Sequence, residues 1–271
     1  PDSAQIIQDI VNKVFPADEA EVFQGGVDVA KELLSLPFDH IYYTGGTAVG
    51  KIVMKAAADN LASVTLEMGG KNPVIIDETA KLENAATKLA WGRVMNAGQV
   101  CIAPDYAIVH DSVKDEFQTL LSEKINALYN SENTGLDQSP YVPRIINDRH
   151  TQRIKNLIDD AIKKGATVVS GGNADIKDNY IEPTILTDVS EDMDIMQEEV
   201  FGPVVTLMPF DDEAEAIRLA NEVPYGLSAT VWTQDVDRVV RVGKRLQAGV
   251  VWVNTPMMRE LRAPFGGFKS S

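Results

Sequence analysis

The stretch His40-Ile41-Tyr42-Tyr43-Thr44-Gly45-Gly46-Thr47-Ala48-Val49-Gly50-Lys51-Ile52-Val53-Met54 decides the fold. Its opening residues are mostly β-branched or aromatic and end at two glycines, the pattern of a strand running into a tight turn. From Thr47 to Asp59 the spacing changes. Val49, Ile52, Val53 and Ala56 recur at a helical period, so a helix follows the turn, and Ser63 to Glu67 predicts a further strand. Upstream, Ser3 to Phe15 carries Ile6, Ile7, Ile10, Val11 and Val14 at helical spacing, with Ser3 as N-cap. Glu21 to Gln24 predicts a short strand ended by Gly25-Gly26, and a helix through Val29, Leu33 and Leu36 stops before Pro37. Strand, glycine turn and helix in alternation predict an α/β fold with a mostly parallel sheet covered on both faces.

The rhythm continues downstream. Strands are predicted at Pro73 to Asp77, Tyr106 to His110, Ser228 to Thr233 and Val250 to Val253, with short strands from Thr167 to Ser170 and Tyr180 to Leu186. Helices are predicted at Leu82 to Met95, Val113 to Tyr129, Asp148 to Lys164, Asp212 to Glu222 and Asp235 to Leu246. Asn130 to Pro143 reads as a polar surface excursion. No internal repeat or low-complexity segment interrupts the chain.

With 271 residues, 44% hydrophobic and 24% charged, the composition is that of a globular protein. A formal net charge of -15 argues against nucleic acid or an anionic membrane as partner. No apolar run reaches the length of a membrane span, and Pro1-Asp2-Ser3-Ala4-Gln5 lacks the basic and apolar regions of a signal peptide. One cysteine excludes an intrachain disulfide and fits a reducing, cytoplasmic location. His40, His110 and His150 are dispersed without metal-ligand spacing, so no metal site is expected.

Several short segments carry chemistry. The cysteine, Cys101, lies in Asn96-Ala97-Gly98-Gln99-Val100-Cys101-Ile102-Ala103-Pro104, and Glu67 lies in Leu66-Glu67-Met68-Gly69-Gly70-Lys71-Asn72-Pro73. A thiolate attacks carbonyl carbon and a carboxylate activates a thiol or water, yet a lone cysteine also serves as a small buried hydrophobe. Gly45 to Gly50, at a strand-to-helix turn, suits a phosphate at a helix N-terminus, or equally tight packing. Gln197-Glu198-Glu199-Val200-Phe201-Gly202-Pro203-Val204 offers carboxylates for a ribose and a ring for a flat cofactor, or an acidic loop capping a strand. Ala263-Pro264-Phe265-Gly266-Gly267-Phe268 suits an apolar passage or core packing. Asn254 is a candidate for holding a neighbouring loop by its amide.

Taken in order and spacing, the Glu67, Cys101, Glu199 and Phe265 segments resemble the signature blocks of the NAD(P)-dependent aldehyde dehydrogenase superfamily. The 34 positions between Glu67 and Cys101 match the spacing of that family's general base and nucleophile. The turn at Thr44 to Lys51 and the run Ala103-Pro104-Asp105-Tyr106 look closest to the branch acting on fatty and aromatic aldehydes. Val223-Pro224-Tyr225-Gly226-Leu227-Ser228 and Asn254 look like the larger tetrameric branch.

The resemblance implies a fold, a reaction and a division of labour. Residues 1–69 would be part of a Rossmann-type cofactor domain, and residues 70–271 most of an α/β catalytic domain truncated at its C-terminal end. Cys101 would attack the aldehyde, and Glu67 would activate the water that hydrolyses the resulting thioester. The backbone amide of Cys101 would share the oxyanion. Gly45, Gly46, Thr47, Ala48, Val49 and Gly50 would face the pyrophosphate of NAD or NADP, Glu199 the nicotinamide ribose, and Phe201 the nicotinamide. Ile102 and Phe265 would line the substrate passage, Asn254 would support the site, and the complete protein would be a homo-oligomer. Arg259 and Arg262 read as surface charges. The chain reads as the carboxy-terminal portion of such an enzyme, without the upstream oxyanion asparagine and adenosine-ribose segment. Cofactor-independent esterase activity and a catalytically silent interaction module remain alternatives.

Overall fold

The computed structural model describes residues 2–258 and 260–271, so Arg259 lies outside the described residues. The chain divides into two compact units, Pro1–Leu66 and Glu67–Ser271. In the first, α1 (Asp2–Val14) and α2 (Val27–Leu34) precede β1 (His40–Thr44), α3 (Thr47–Asp59) and β2 (Ser63–Glu67). β1 and β2 pair in a two-stranded sheet. The strand expected at Glu21 to Gln24 does not form. The Val22 carbonyl accepts instead from Gln8 Nε2 at 2.7 Å, so a side-chain clasp replaces a ladder. Ser3 sits inside α1, and α2 ends before Leu36.

The second unit is built on one seven-stranded sheet. Its elements run β3 (Asn72–Ile76), α4 (Leu82–Val94), β4 (Pro104–His110), α5 (Lys114–Tyr129), α6 (Asp148–Lys163) and β5 (Thr167–Ser170). A small hairpin of β6 (Ala174–Asp175) and β7 (Tyr180–Ile181) precedes β8 (Thr184–Thr187), α7 (Asp194–Gln197) and β9 (Val204–Phe210). α8 (Glu213–Asn221), β10 (Tyr225–Gly226), β11 (Ser228–Trp232), α9 (Val236–Gly243), β12 (Val250–Val253) and β13 (Phe268–Lys269) complete it. The sheet order is β12-β11-β3-β4-β9-β8-β5. Every neighbouring pair is parallel except the antiparallel edge pair β5 and β8.

Burial on both faces accounts for the long apolar runs of the central strands. One face packs Ile154, Ile158, Ile217 and Val242 of α6, α8 and α9 against Ile75, Ile108 and Val231. The other packs Leu89, Phe117 and Leu121 of α4 and α5 against Val74, Ala107 and Val205. Asn147, Asp212 and Asp235 cap the starts of α6, α8 and α9 by accepting from backbone N–H groups, as short polar side chains do best.

Two departures from the sequence reading concern the sheet. β9 lies between β4 and β8, although no strand was expected at Val204 to Phe210. Pro209 is compatible with it because β8 pairs only with Val204 to Thr206, so the strand has no ladder partner on that side at Pro209. Tyr180 to Leu186 is not continuous. It divides at Pro183 into a hairpin strand and a sheet strand. Phe117 is fully buried on α5. Phe117→Ala is therefore expected to lower unfolding free energy by about 3–5 kcal/mol, read from the urea midpoint at unchanged m-value.

Candidate active site

The amino ends of β3 and β4 hold the site, and their pairing is irregular. Asn72 pairs with Pro104 but Pro73 pairs with Tyr106, so Asp105 is an extra residue on β4. Pro73 has no N–H for the ladder, and an irregularity is where a central strand can accommodate it. A bulge re-aims its side chain, and Asp105 turns into the interior. There its Oδ1 takes Lys71 Nζ at 2.5 Å and its Oδ2 takes the Val200 amide at 3.1 Å. Lys71 Nζ also donates to the carbonyls of Ile195 at 2.6 Å and Glu198 at 3.0 Å. Burial lowers the Lys71 pKa against the opposing pull of Asp105. Arg93 donates to the Pro104 carbonyl at 2.8 Å and stands 3.6 Å from Asp105. One buried carboxylate thus faces two buried cations and ties the segment 195–200 to the strand ends.

The segment before β4 is equally constrained. Asn96, Ala97 and Gly98 all adopt left-handed backbone conformations, with φ of 52, 54 and 69°. Ala97 is fully buried there, a strained setting worth about 1–2 kcal/mol for a residue with a Cβ. Gly98 has no substitute, because a Cβ would lie 2.2 Å from the Gly202 carbonyl oxygen. Gln99 stitches the turn outward, donating to Asn96 and Arg144 carbonyls and accepting from Ile146 N. The chain then turns at Val100 to Ala103, closed by Ala103 N–H donating to Val100 O at 2.9 Å, with Cys101 in the turn and half-buried.

Glu67 stands at the start of the β3 approach, half-buried, and burial raises its pKa. Gly266 passes close by: a Cβ there would lie 3.6 Å from Glu67 Oε1. Between Glu67 and Asn72 the chain makes its narrowest passage at Gly69-Gly70. A Cβ on Gly70 would lie 2.9 Å from the Cys101 carbonyl oxygen, and one on Gly69 would lie 2.0 Å from Glu199 Oε2. Glu199 Oε1 accepts from Gly70 N–H at 3.0 Å. Burial pushes the Glu199 carboxyl up to about 7. Arg153 holds this acidic segment from behind, donating to the carbonyls of Glu199 at 3.2 Å and Val200 at 2.5 Å. Glu199 and the backbone of Cys101 therefore close on the Gly69-Gly70 passage, and Gly266 stands against Glu67.

The other expected site residues lie as follows. Phe201 adopts φ 46° and presents a partly exposed ring. Ile102 is buried behind the cysteine, and Phe265 is exposed. Asn254, at φ 54°, accepts from Thr233 N–H at 3.1 Å and donates to Thr233 O at 2.9 Å, fastening the end of β12 to that of β11. Arg262 is exposed and paired with Glu260.

In the first unit, Gly46 is the N-cap of α3 without a side-chain capping bond, and its Cα faces open space. Val49 and Gly50 amides fold back onto the Gly46 carbonyl, and Gly50 is buried. Tyr43 packs over this turn: its Oη donates to the Gly46 carbonyl at 3.2 Å, and a Cβ on Gly45 would lie 2.2 Å from that oxygen. Among the described residues no group of three or more His, Cys, Asp or Glu is set to hold a metal ion, and no helix is long and apolar enough to cross a membrane.

Sequence reasoning assigned no role to Lys71, Asn72, Arg93, Asp105, Arg153 or Tyr225. One signal was present: Lys71 and Asp105 stand within two residues of the apolar runs Pro73 to Ile76 and Tyr106 to Val109, where a charge must be paired.

Comparison with known proteins gives the family. The profile described as the Aldehyde dehydrogenase family matches residues 1–271, and the chain belongs to that family. It is 40% identical over 273 residues to 4,4'-diaponeurosporen-aldehyde dehydrogenase of Staphylococcus aureus, covering 100% of this chain and 58% of that one. The solved substrate-bound state of Staphylococcus aureus AldH superposes with a TM-score of 0.91 at 40% identity, over 99% of this chain and 58% of that one. An Escherichia coli NADP-dependent enzyme gives 0.86 at 35% identity, over 93% and 52%. A Staphylococcus aureus betaine aldehyde dehydrogenase in complex with NAD+ gives 0.82 at 36% identity, over 92% and 50%. The chain thus spans little more than half the length of the relatives it matches.

Removing Asp105 leaves Lys71 and Arg93 as uncompensated buried charges. Asp105→Ala is expected to cost about 3–5 kcal/mol of stability, measured by chemical denaturation. Glu199 holds its proton more tightly in the folded chain than its ordinary value of 4.5 allows, so its stabilising contribution is full below pH 4.5 and lost as pH rises through about 7. Going from pH 8 to pH 5 should therefore favour the parent over Glu199→Gln, by on the order of 2 kcal/mol, in melting experiments across that range.

Proposed function

We propose that the protein oxidises an aldehyde to a carboxylic acid with NAD+ or NADP+, Cys101 being the nucleophile and Glu67 the general base. The observation that carries this reading is the Gly69-Gly70 passage, which leads from Glu67, a carboxylate whose pKa burial raises, to the backbone of Cys101. As thiolate, the Cys101 sulfur forms a bond to the aldehyde carbon while the carbonyl oxygen takes negative charge, which the Cys101 backbone N–H would stabilise. When bound, the nicotinamide cofactor supplies a hydride acceptor. Loss of that hydride from the thiohemiacetal carbon leaves a thioester on Cys101. Glu67 then takes a proton from water, the water oxygen attacks the acyl carbon, and the C–S bond breaks to release the acid and the thiolate. The raised pKa of Glu67 suits this step, because a stronger base removes a water proton more readily.

Residues 1–69 read as part of the cofactor domain and residues 70–271 as the catalytic domain. The first-turn amides of α3, from Gly45 to Gly50, suit the pyrophosphate, Glu199 a ribose hydroxyl, and Phe201 the face of the nicotinamide. Ile102 and Phe265 suit the walls of an apolar aldehyde passage, with Asn254 supporting the strands beneath. In the same reading the complete protein is a homo-oligomer. The single cysteine and the acidic charge fit a cytoplasmic enzyme.

NAD(P)H formation at 340 nm tests the reading in the protein at its natural length. Cys101→Ala should lose turnover by about 10³-fold or more. Glu67→Gln should retain one stoichiometric burst of NAD(P)H and lose steady turnover by about 10²–10⁴-fold. The acidic limb of the parent's kcat profile should lie above the ordinary glutamate range and vanish in Glu67→Gln. Undiminished oxidation by Cys101→Ala would overturn the proposal.

A further inference from the structure

We infer that Asn72 is a positioning residue for the nucleophile, an inference that rests on the reading of Cys101 just given. Asn72 is 3% exposed, and its side-chain amide has three hydrogen-bonding directions filled, all by backbone. Its Nδ2 donates to the carbonyl of Cys101 at 2.8 Å and to that of Ala103 at 2.9 Å, and its Oδ1 accepts from Ser228 N–H at 3.1 Å. The orientation of the amide is fixed by these partners. Turned over, it would set an oxygen against two carbonyl oxygens and a nitrogen against an N–H.

The two accepted carbonyls bracket Ile102 and belong to the turn that carries the thiol. That turn has its own closing bond, from Ala103 N–H to Val100 O. Asn72 adds two more constraints from the β3 side, and Gly70 permits the approach, since a Cβ there would lie 2.5 Å from Asn72 Oδ1 as well as 2.9 Å from Cys101 O. The peptide plane after Cys101 is therefore locked to β3, and through Ser228 to β11. With the carbonyl of Cys101 held, rotation about its Cα–C bond is restricted, and the residue that carries the sulfur is anchored on one side. The side chain does not touch the reacting atoms. It acts through the backbone of the residue that does.

Three substitutions separate donor loss from simple misfolding. Asn72→Asp keeps the shape and replaces the donors with oxygen, Asn72→Ala removes the amide without adding charge, and Asn72→Ser restores a single donor. Each is made in the natural-length protein and compared by kcat per titratable thiol, by KM for cofactor, and by the pH profile of Cys101 alkylation with iodoacetamide. Positioning predicts that kcat per thiol falls about 10–100-fold in the Ala variant and less in the Ser variant. KM for cofactor should stay within about twofold, and the alkylation profile should move. A structural role alone reduces the number of folded molecules and leaves these per-thiol quantities in place. If Asn72→Asp does not fold, the Ala and Ser variants carry the test. Folded Ala and Ser variants with kcat per thiol within about twofold of the parent and an unmoved alkylation profile would overturn the inference. Failure of the underlying reading is distinguishable, because it appears as activity surviving in Cys101→Ala.

Discussion

The buried contact between Lys71 and Asp105 is the interaction on which the rest of the site depends. It exists because β3 and β4 slip out of register by one residue at the proline, which turns the Asp105 side chain away from the ladder and into the interior. An ionised pair removed from water gains little unless its remaining hydrogen-bonding capacity is used. Here it is used: Lys71 spends its other donors on the carbonyls of Ile195 and Glu198, and Asp105 takes the Val200 amide. The pair therefore acts less as a source of net stability than as a rivet between the sheet and the acidic segment that carries Glu199.

Consequences run outward from that rivet. With the 198–202 segment fixed, the Gly202 carbonyl stands where only Gly98 can pass it, and this sets the left-handed run leading to Cys101. The Glu199 carboxyl is brought onto the Gly70 amide, and its burial raises its pKa. Tyr225 lies against Glu199, and burial together with that carboxylate raises the tyrosine pKa as well. A mostly parallel sheet thus carries strained, closely packed loops at the amino ends of β3 and β4, among them the turn that holds Cys101. Placing reactive groups on loops held by a rigid scaffold is a general solution to precision.

Much of this was legible from residue patterns, because long apolar runs and glycine turns are local signals. The strands at His40 to Thr44 and Val250 to Val253 and the helix from Thr47 to Asp59 match the structure residue for residue. The errors have particular causes. Val204 to Phe210 was masked as a strand by its proline and by the adjoining Gly-Pro break, although six of its seven residues are buried. Glu21 to Gln24 had strand-like residues and no partner strand to accept them. The bulge at Asp105 and the amide network of Asn72 were not legible, since each depends on which strands become neighbours, a property of topology rather than of any window of sequence.

The central claim is that Cys101 carries the acyl group between oxidation and hydrolysis. Intact-mass and peptide-mapping spectrometry of Glu67→Gln, quenched after mixing with an aldehyde and NAD(P)+, tests it most directly. The account predicts one added acyl group per chain, mapped to the peptide containing Cys101 and released by hydroxylamine. Product formation with no adduct on that peptide, or with an adduct on another residue, would contradict it.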